Sequence, residues 1–182
     1  MSADAFPWAY TIPQPWAQLA IGGLVPVLPV AVCPRRSDGP ALLHSARGLD
    51  LSASPEVVEV AESEAGFRRP LEPLPLGVLL GVVELEFVPS LTRRQLRDLC
   101  PGRAWELIST HRLCPSGRGA SVSAVRFSRP GTLSTPPCVV PHRGGGRGMW
   151  RVTPWPAGDD RRSWHPRIAA AMDAQVRRSA PF

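Results

Sequence analysis

The sequence predicts an α+β protein that is mainly β, a small antiparallel or mixed β-barrel with flanking short helices and an appended C-terminal helix. Three observations lead there. Proline and glycine are abundant, 22 and 16 of 182 residues, which disfavours long helices and favours short strands joined by turns. Strand-like runs, roughly five to seven of them, are interrupted by short helical patterns and form no alternating βαβ series. A domain of roughly 150 residues with extensions is what this length supports, so one core is expected. The boundary is placed at 156, with residues 1–156 as the barrel domain and 157–182 as a charged linker and helix.

The chain is organised around its opening. The extended run Tyr10-Thr11-Ile12 meets Gln14, Pro15 supplies a φ suited to a first helical turn, and Trp16, Leu19 and Ala20 recur at helical spacing before Gly22-Gly23 stops the helix. Leu24 to Val32 is β-prone, but Pro26 and Pro29 confine it to an edge or an extended loop. A basic turn with Arg35 and Arg36 follows, then a compact strand, Pro40 to Ser45, that ends on the polar pair His44-Ser45. Ser54-Pro55-Glu56 has the cap, the proline and the acid of a helix start, with Val57, Val58 and Ala61 facing inward.

Beyond the proline-rich connection 67–75, Gly77 to Val88 is the strongest strand in the chain. Its first half is continuously apolar, so both faces are expected to be buried, and its glycines point to a bend or a close strand approach. Thr92 is placed to cap a helix through Leu99, and Ala104 to Thr110 forms another short helix. Ser121 to Phe127 alternates like a half-exposed strand. A short apolar run at Cys138-Val139-Val140 leads into the glycine loop His142 to Gly148, and Met149 to Val152 is the last strand. Pro166 to Arg178 reads as a helix with Ile168, Ala171, Met172 and Val176 on one side, a possible contact for a protein partner.

All 21 basic residues are arginine, and the net charge is +6. Without lysine there is no amine nucleophile or Schiff-base former, and guanidinium groups do not replace one in proton transfer. Planar, permanently charged forks suit phosphate instead, and a pI near 10.4 fits a polyanionic partner such as nucleic acid. The start lacks the basic region of a signal peptide, and the most apolar segment near it is far short of the ~20 residues of a membrane span. A cytoplasmic protein with no membrane partner is expected, its cysteines Cys33, Cys100, Cys114 and Cys138 reduced.

Four constellations carry possible chemistry. The glycine loop lacks the lysine and hydroxyl of a nucleotide-binding loop, but Arg143 and Arg147 on it suit a nucleic-acid phosphate, with Trp150 nearby for stacking. His111, Cys114, Cys138 and His142 have an H-x2-C, C-x3-H spacing compatible with zinc, although reduced buried thiols and surface histidines account for it better, and no metal or other cofactor is assigned. Glu84 and Glu86 share a strand face as a paired-carboxylate candidate, or as two solvated acids. No nucleophile elbow surrounds any serine.

Gln14-Pro15-Trp16-Ala17, followed by Leu19, Ile21 and Gly23, resembles the N-terminal signature of the ASCH (activating signal cointegrator homology) domain, a branch of the PUA-like fold. Pro40 to Ser45, Gly77 to Leu85 and Gly146 to Trp150 resemble its later segments in the same order. The resemblance implies a PUA-like β-barrel whose cleft, partly lined by the Gln-Pro-Trp helix, receives RNA or DNA. Some small members of the family are similar to hydrolases of modified cytidine. At the positions where that family carries Lys, Glu and Arg, this chain has Val25, Leu28 and Val30, so a catalytically degenerate module is implied. The expected function is therefore binding of RNA or single-stranded nucleic acid, with no catalytic residues. Gln14, Pro15, Trp16, Arg35, Arg36, His44, Arg143, Arg147 and Trp150 are the expected binding residues. Two alternatives stand beside it. One is a divergent hydrolase of a modified nucleobase, nucleoside or RNA with Glu84 or His44 as base. The other is a protein-interaction domain with Val25, Leu28 and Val30 as a dry surface patch.

Overall fold

A computed structural model of the chain describes residues 8–31, 38–64, 74–132 and 148–151. In chain order these form β1 (Trp8–Gln14), α1 (Trp16–Ile21), β2 (Val27–Val30), β3 (Gly39–Leu49), α2 (Pro55–Glu64), β4 (Leu79–Thr92), α3 (Arg93–Leu99), α4 (Arg103–Ser109), β5 (Ser121–Thr132) and β6 (Gly148–Arg151). The strands make one six-stranded mixed sheet in the order β2-β5-β4-β3-β1-β6. β1 runs parallel to β3, and every other neighbouring pair is antiparallel. The protein is thus α+β and mainly β. The two outermost strands, β2 and β6, are not laddered to each other among the described residues. Cys33, Arg35, Arg36, Cys138, the 141–147 loop with Arg143 and Arg147, and the expected C-terminal helix lie outside the described residues.

Local chemistry explains the elements. Pro29 lacks an amide hydrogen, and β2 is accordingly an edge strand, paired among the described residues on one side only, with β5. Ser54 Oγ accepts the Val57 amide hydrogen at the start of α2. At α3 the Thr92 hydroxyl and Gln95 form a reciprocal capping box, and Leu96 is fully buried. β4 is longer than its apolar run suggests, reaching Thr92, and β5 extends past Phe127 to Thr132 because the two strands pair along their whole length through two register shifts.

One face of the sheet carries the main core. Tyr10, Ile12, Ala41, Leu43, Val83 and Leu85 pack there against Trp16, Leu19 and Ala20 of α1 and Val57 and Ala61 of α2. On the opposite face Ala9, Leu42, Leu79 and Val82 are also buried. The expectation of a strand covered on both sides holds for the first half of β4, where Leu79 to Val83 are all buried. Its glycine marks a close approach, since a Cβ on Gly81 would overlap the Gly131 carbonyl and lie 2.6 Å from Ile21 Cδ1.

Candidate functional site

The sequence-selected residues divide between the two faces. Gln14 and Trp16 belong to the face packed by α1, while His44 and Trp150 belong to the other. In β1 the side chains alternate, so Tyr10 and Ile12 face the main core, and Ala9 and Thr11 face away from it. Thr11 is paired with His44 of β3, and Ala9 with Trp150 of β6. Paired residues project to the same side, which brings Thr11, His44 and Trp150 together.

At the first corner, Gln14 is completely buried and both ends of its amide are engaged. Its Nε2 donates to the Pro75 carbonyl at 2.9 Å, and its Oε1 accepts the Gln18 backbone amide at 3.0 Å. The Gln14–Pro15 peptide is cis, and Pro15 occupies the N-cap position of α1. Trp16 is also fully buried, its indole donating to Asp50 Oδ2 at 3.0 Å. The His111 ring stands edge-on to it, with centroids 4.8 Å apart. The space expected to be a cleft wall is therefore filled by Trp16, and the glutamine fastens the helix entrance to the 74–76 segment. The indole and both amide ends are committed within the fold.

Sequence reasoning passed over Asp50, the anchor of this corner. The spacing Asp50-Leu51-Ser52 is an Asx-turn signal, and the carboxylate accepts both the amide and the hydroxyl of Ser52, at 3.1 and 2.6 Å. Burial by itself would raise the Asp50 carboxyl. The Ser52 hydroxyl and amide, the Trp16 indole and the Arg112 charge outweigh it and hold the group below its ordinary range. His111 lies at the same corner, 7% exposed, and burial lowers its pKa to about 4 against the opposing pull of Asp50. Its Nδ1 accepts the Leu113 amide hydrogen at 3.2 Å, so the neutral ring carries its proton on Nε2.

On the opposite face, the Trp150 indole donates to Thr11 Oγ1 at 2.8 Å. Thr11 Oγ1 in turn lies 3.1 Å from His44 Nδ1. A hydroxyl donates once and accepts twice, so Thr11 Oγ1 accepts from Trp150 and serves His44 Nδ1 as donor or acceptor according to the histidine tautomer. The His44 ring is 1% exposed and stands perpendicular to Trp150, centroids 5.5 Å apart. Trp150 itself is half-buried on the edge strand β6.

The remaining candidates fall apart in space. Glu86 pairs with Arg126 at 3.4 Å and Glu84 with Arg129 at 3.7 Å, both ion pairs at the surface. Glu84 is level with Pro40, four residues along β3 from His44, or roughly 13 Å at the rise of a strand. The two proposed bases therefore do not share a site. Val25 and Leu28 are buried, and Val30 packs against the core, so they form no surface patch. Among the described residues no three His, Cys, Asp or Glu converge on a possible metal position. The Cys138 and His142 half of the zinc spacing lies outside them. Cys100 and Cys114 are free thiols. Burial pushes Cys100 up to about 11 and raises Cys114 as well, which disfavours the reactive thiolate.

Together the described residues define a mainly β protein on one mixed sheet, with a sealed polar corner on one face and a hydrogen-bonded Trp-Thr-His chain on the other. No described helix is long and apolar enough to cross a membrane. Compared with protein-family models and with curated proteins, the chain has no match.

Proposed function

We propose that the protein is a non-catalytic module that binds RNA or single-stranded nucleic acid, with a PUA-like barrel of the ASCH type as its scaffold and the cytoplasm as its location. The observation that carries this reading is Trp150. The residue is partly exposed on an edge strand, its N–H is fixed by Thr11 and its orientation is braced by His44. An aromatic held in one pose on a sheet is a stacking platform that costs little ordering when a base arrives. Arg147 stands three residues before it in the sequence, and the net charge of +6 favours a polyanion.

In this reading Gln14, Pro15 and Trp16 build the scaffold, and base contact falls to Trp150. Fluorescence anisotropy with labelled single-stranded RNA and DNA, titrated against salt, tests it. Trp150→Ala should weaken binding by roughly 5- to 150-fold, the range of one base-aromatic stack. Absence of measurable affinity for any strand at low salt, or an unchanged affinity in Trp150→Ala, refutes it.

A further inference from the structure

The arginines are not spread evenly. From Arg93 to Arg118 the chain carries six arginines against two acids, Asp98 and Glu106. Arg93, Arg94, Arg97, Arg103, Arg112 and Arg118 are all exposed. This segment comprises α3, α4 and the turns after them.

Side-chain contacts tie α3, α4 and the 114–115 turn to one another, and Arg118 follows that turn by three residues. The Arg93 guanidinium lies 5.0 Å above the ring of Trp105, joining α3 to α4. Its Nη1 donates to the Pro115 carbonyl at 3.0 Å and reaches Cys114 Sγ at 3.5 Å, joining both helices to the following turn. That turn is anchored in the fold, because the Cys114 amide donates to the His111 carbonyl at 2.8 Å and His111 packs on Trp16. Arg97 follows Arg93 by one helical turn, on the same side of α3. Elsewhere the exposed arginines of β5 face acids, Arg126 with Glu86 and Arg129 with Glu84. The α3–α4 segment therefore presents excess positive charge on a braced scaffold, and the β4–β5 surface presents paired charges.

We infer that the α3–α4 surface is a phosphate-tracking site for single-stranded nucleic acid, with Arg94, Arg97 and Arg118 contacting backbone phosphates and the Arg93–Trp105 stack holding the surface in shape. The inference rests on the nucleic-acid reading above and adds a second, purely electrostatic surface to it. Each phosphate neutralised releases condensed counterions, and for single strands the logarithm of the binding constant then falls with the logarithm of salt by about 0.7 per contact. Guanidinium groups suit this role, since they are always charged and fork toward phosphate oxygens.

The test uses the full chain and a fluorescein-labelled 20-nucleotide oligouridylate, titrated at four salt concentrations. The triple variant Arg94→Gln, Arg97→Gln, Arg118→Gln should lose about 2 from the magnitude of the salt slope, with at least tenfold weaker binding at low salt. The matching lysine triple should recover most of both, because a phosphate contact of this kind needs charge above all. Arg126→Gln with Arg129→Gln, which removes two ion pairs, should leave the slope within error of the parent, and its thermal melt reports what the loss of those pairs costs. Circular dichroism melts confirm that each variant folds.

A glutamine triple with the parent's slope and affinity overturns the surface while leaving the nucleic-acid reading intact. Parent protein that binds no oligonucleotide overturns both. Binding to heparin with none to the oligonucleotide overturns the inference too, since it reports charge without strand recognition.

Discussion

Acidification below pH 6.5 should destabilise the fold through His111. Its neutral ring is packed edge-on against Trp16 with only 7% of its surface exposed, and burial lowers its pKa from 6.5 to about 4. The folded state therefore binds this proton less tightly than the unfolded chain does. Between pH 6.5 and 4 the unfolded state holds more proton, so stability is complete above pH 6.5, falls as pH drops through that window, and levels off below about 4. A tenfold change in proton affinity corresponds to about 1.4 kcal/mol, so the cumulative loss is on the order of 3 kcal/mol. That is a large share of the stability of an ordinary domain.

Urea unfolding followed by tryptophan fluorescence at closely spaced pH values measures the effect. His111→Phe keeps a ring against Trp16 but has no proton to gain, and subtracting its profile from the parent's removes every contribution the two proteins share. The difference should climb by about 1.4 kcal/mol per pH unit at its steepest. Parallel profiles for the two proteins across this window would refute the assignment, as would an imidazole resonance of His111 titrating near 6.5 in the folded protein.

Two further perturbations probe the sheet and its corner. Gly81→Ala places a methyl group in overlap with the Gly131 carbonyl and 2.6 Å from Ile21 Cδ1; backbone cannot give way there, and a loss of about 1–3 kcal/mol or more is expected. Gly48→Ala, with nothing within 4 Å of the new carbon, is the control and should be near neutral in the same thermal melts. Asp50→Asn removes the charge that accepts the Trp16 indole and the Ser52 donors, costing about 1.5–3 kcal/mol at neutral pH. Because the Asp50 pKa is lowered in the fold, its contribution is complete above the ordinary carboxylate range and is lost only as pH falls through the lowered value. Asp50 also raises the His111 pKa, so His111 in Asp50→Asn should titrate still lower, a shift that NMR reads directly.

Much of the architecture was legible because local rules and tertiary context agree. Thr92 and Ser54 announce their helices by capping chemistry that the fold uses as written. Pro29 marks an edge strand, and the unbroken run Leu79 to Val83 marks a strand covered on both sides. Face assignment was less legible. A strand's alternation says that Thr11 and Ile12 point apart, but not which side α1 will occupy, so Gln14, Trp16 and His44 appeared as one site when they are on two faces. Bulges compound this: register shifts at Leu43/His44 and at Val82/Glu84 move residues between faces in a way that a period of two does not reveal. Asp50 and His111 were missed as partners of Trp16 for a related reason. Their importance comes from meeting an indole 34 positions away from one and edge-on to the other, and sequence spacing carries no such information.

The sealed corner constrains where any ligand can act. For a nucleotide to stack on Trp16, the indole would have to leave a fully buried position, surrender its bond to Asp50 and part from His111. Truncating a buried tryptophan typically costs about 3–5 kcal/mol, and an orphaned hydrogen bond to a charged group adds about 1.5–3 kcal/mol. At about 1.4 kcal/mol per tenfold, even the smaller figures would weaken such binding by about a thousandfold relative to an open site. Trp150 needs no such release, and the α3–α4 arginines already face solvent. Recognition at these surfaces leaves the Gln14–Trp16 corner closed, so substitutions at Gln14 or Trp16 should act on stability first, and on binding only to the extent that the protein unfolds.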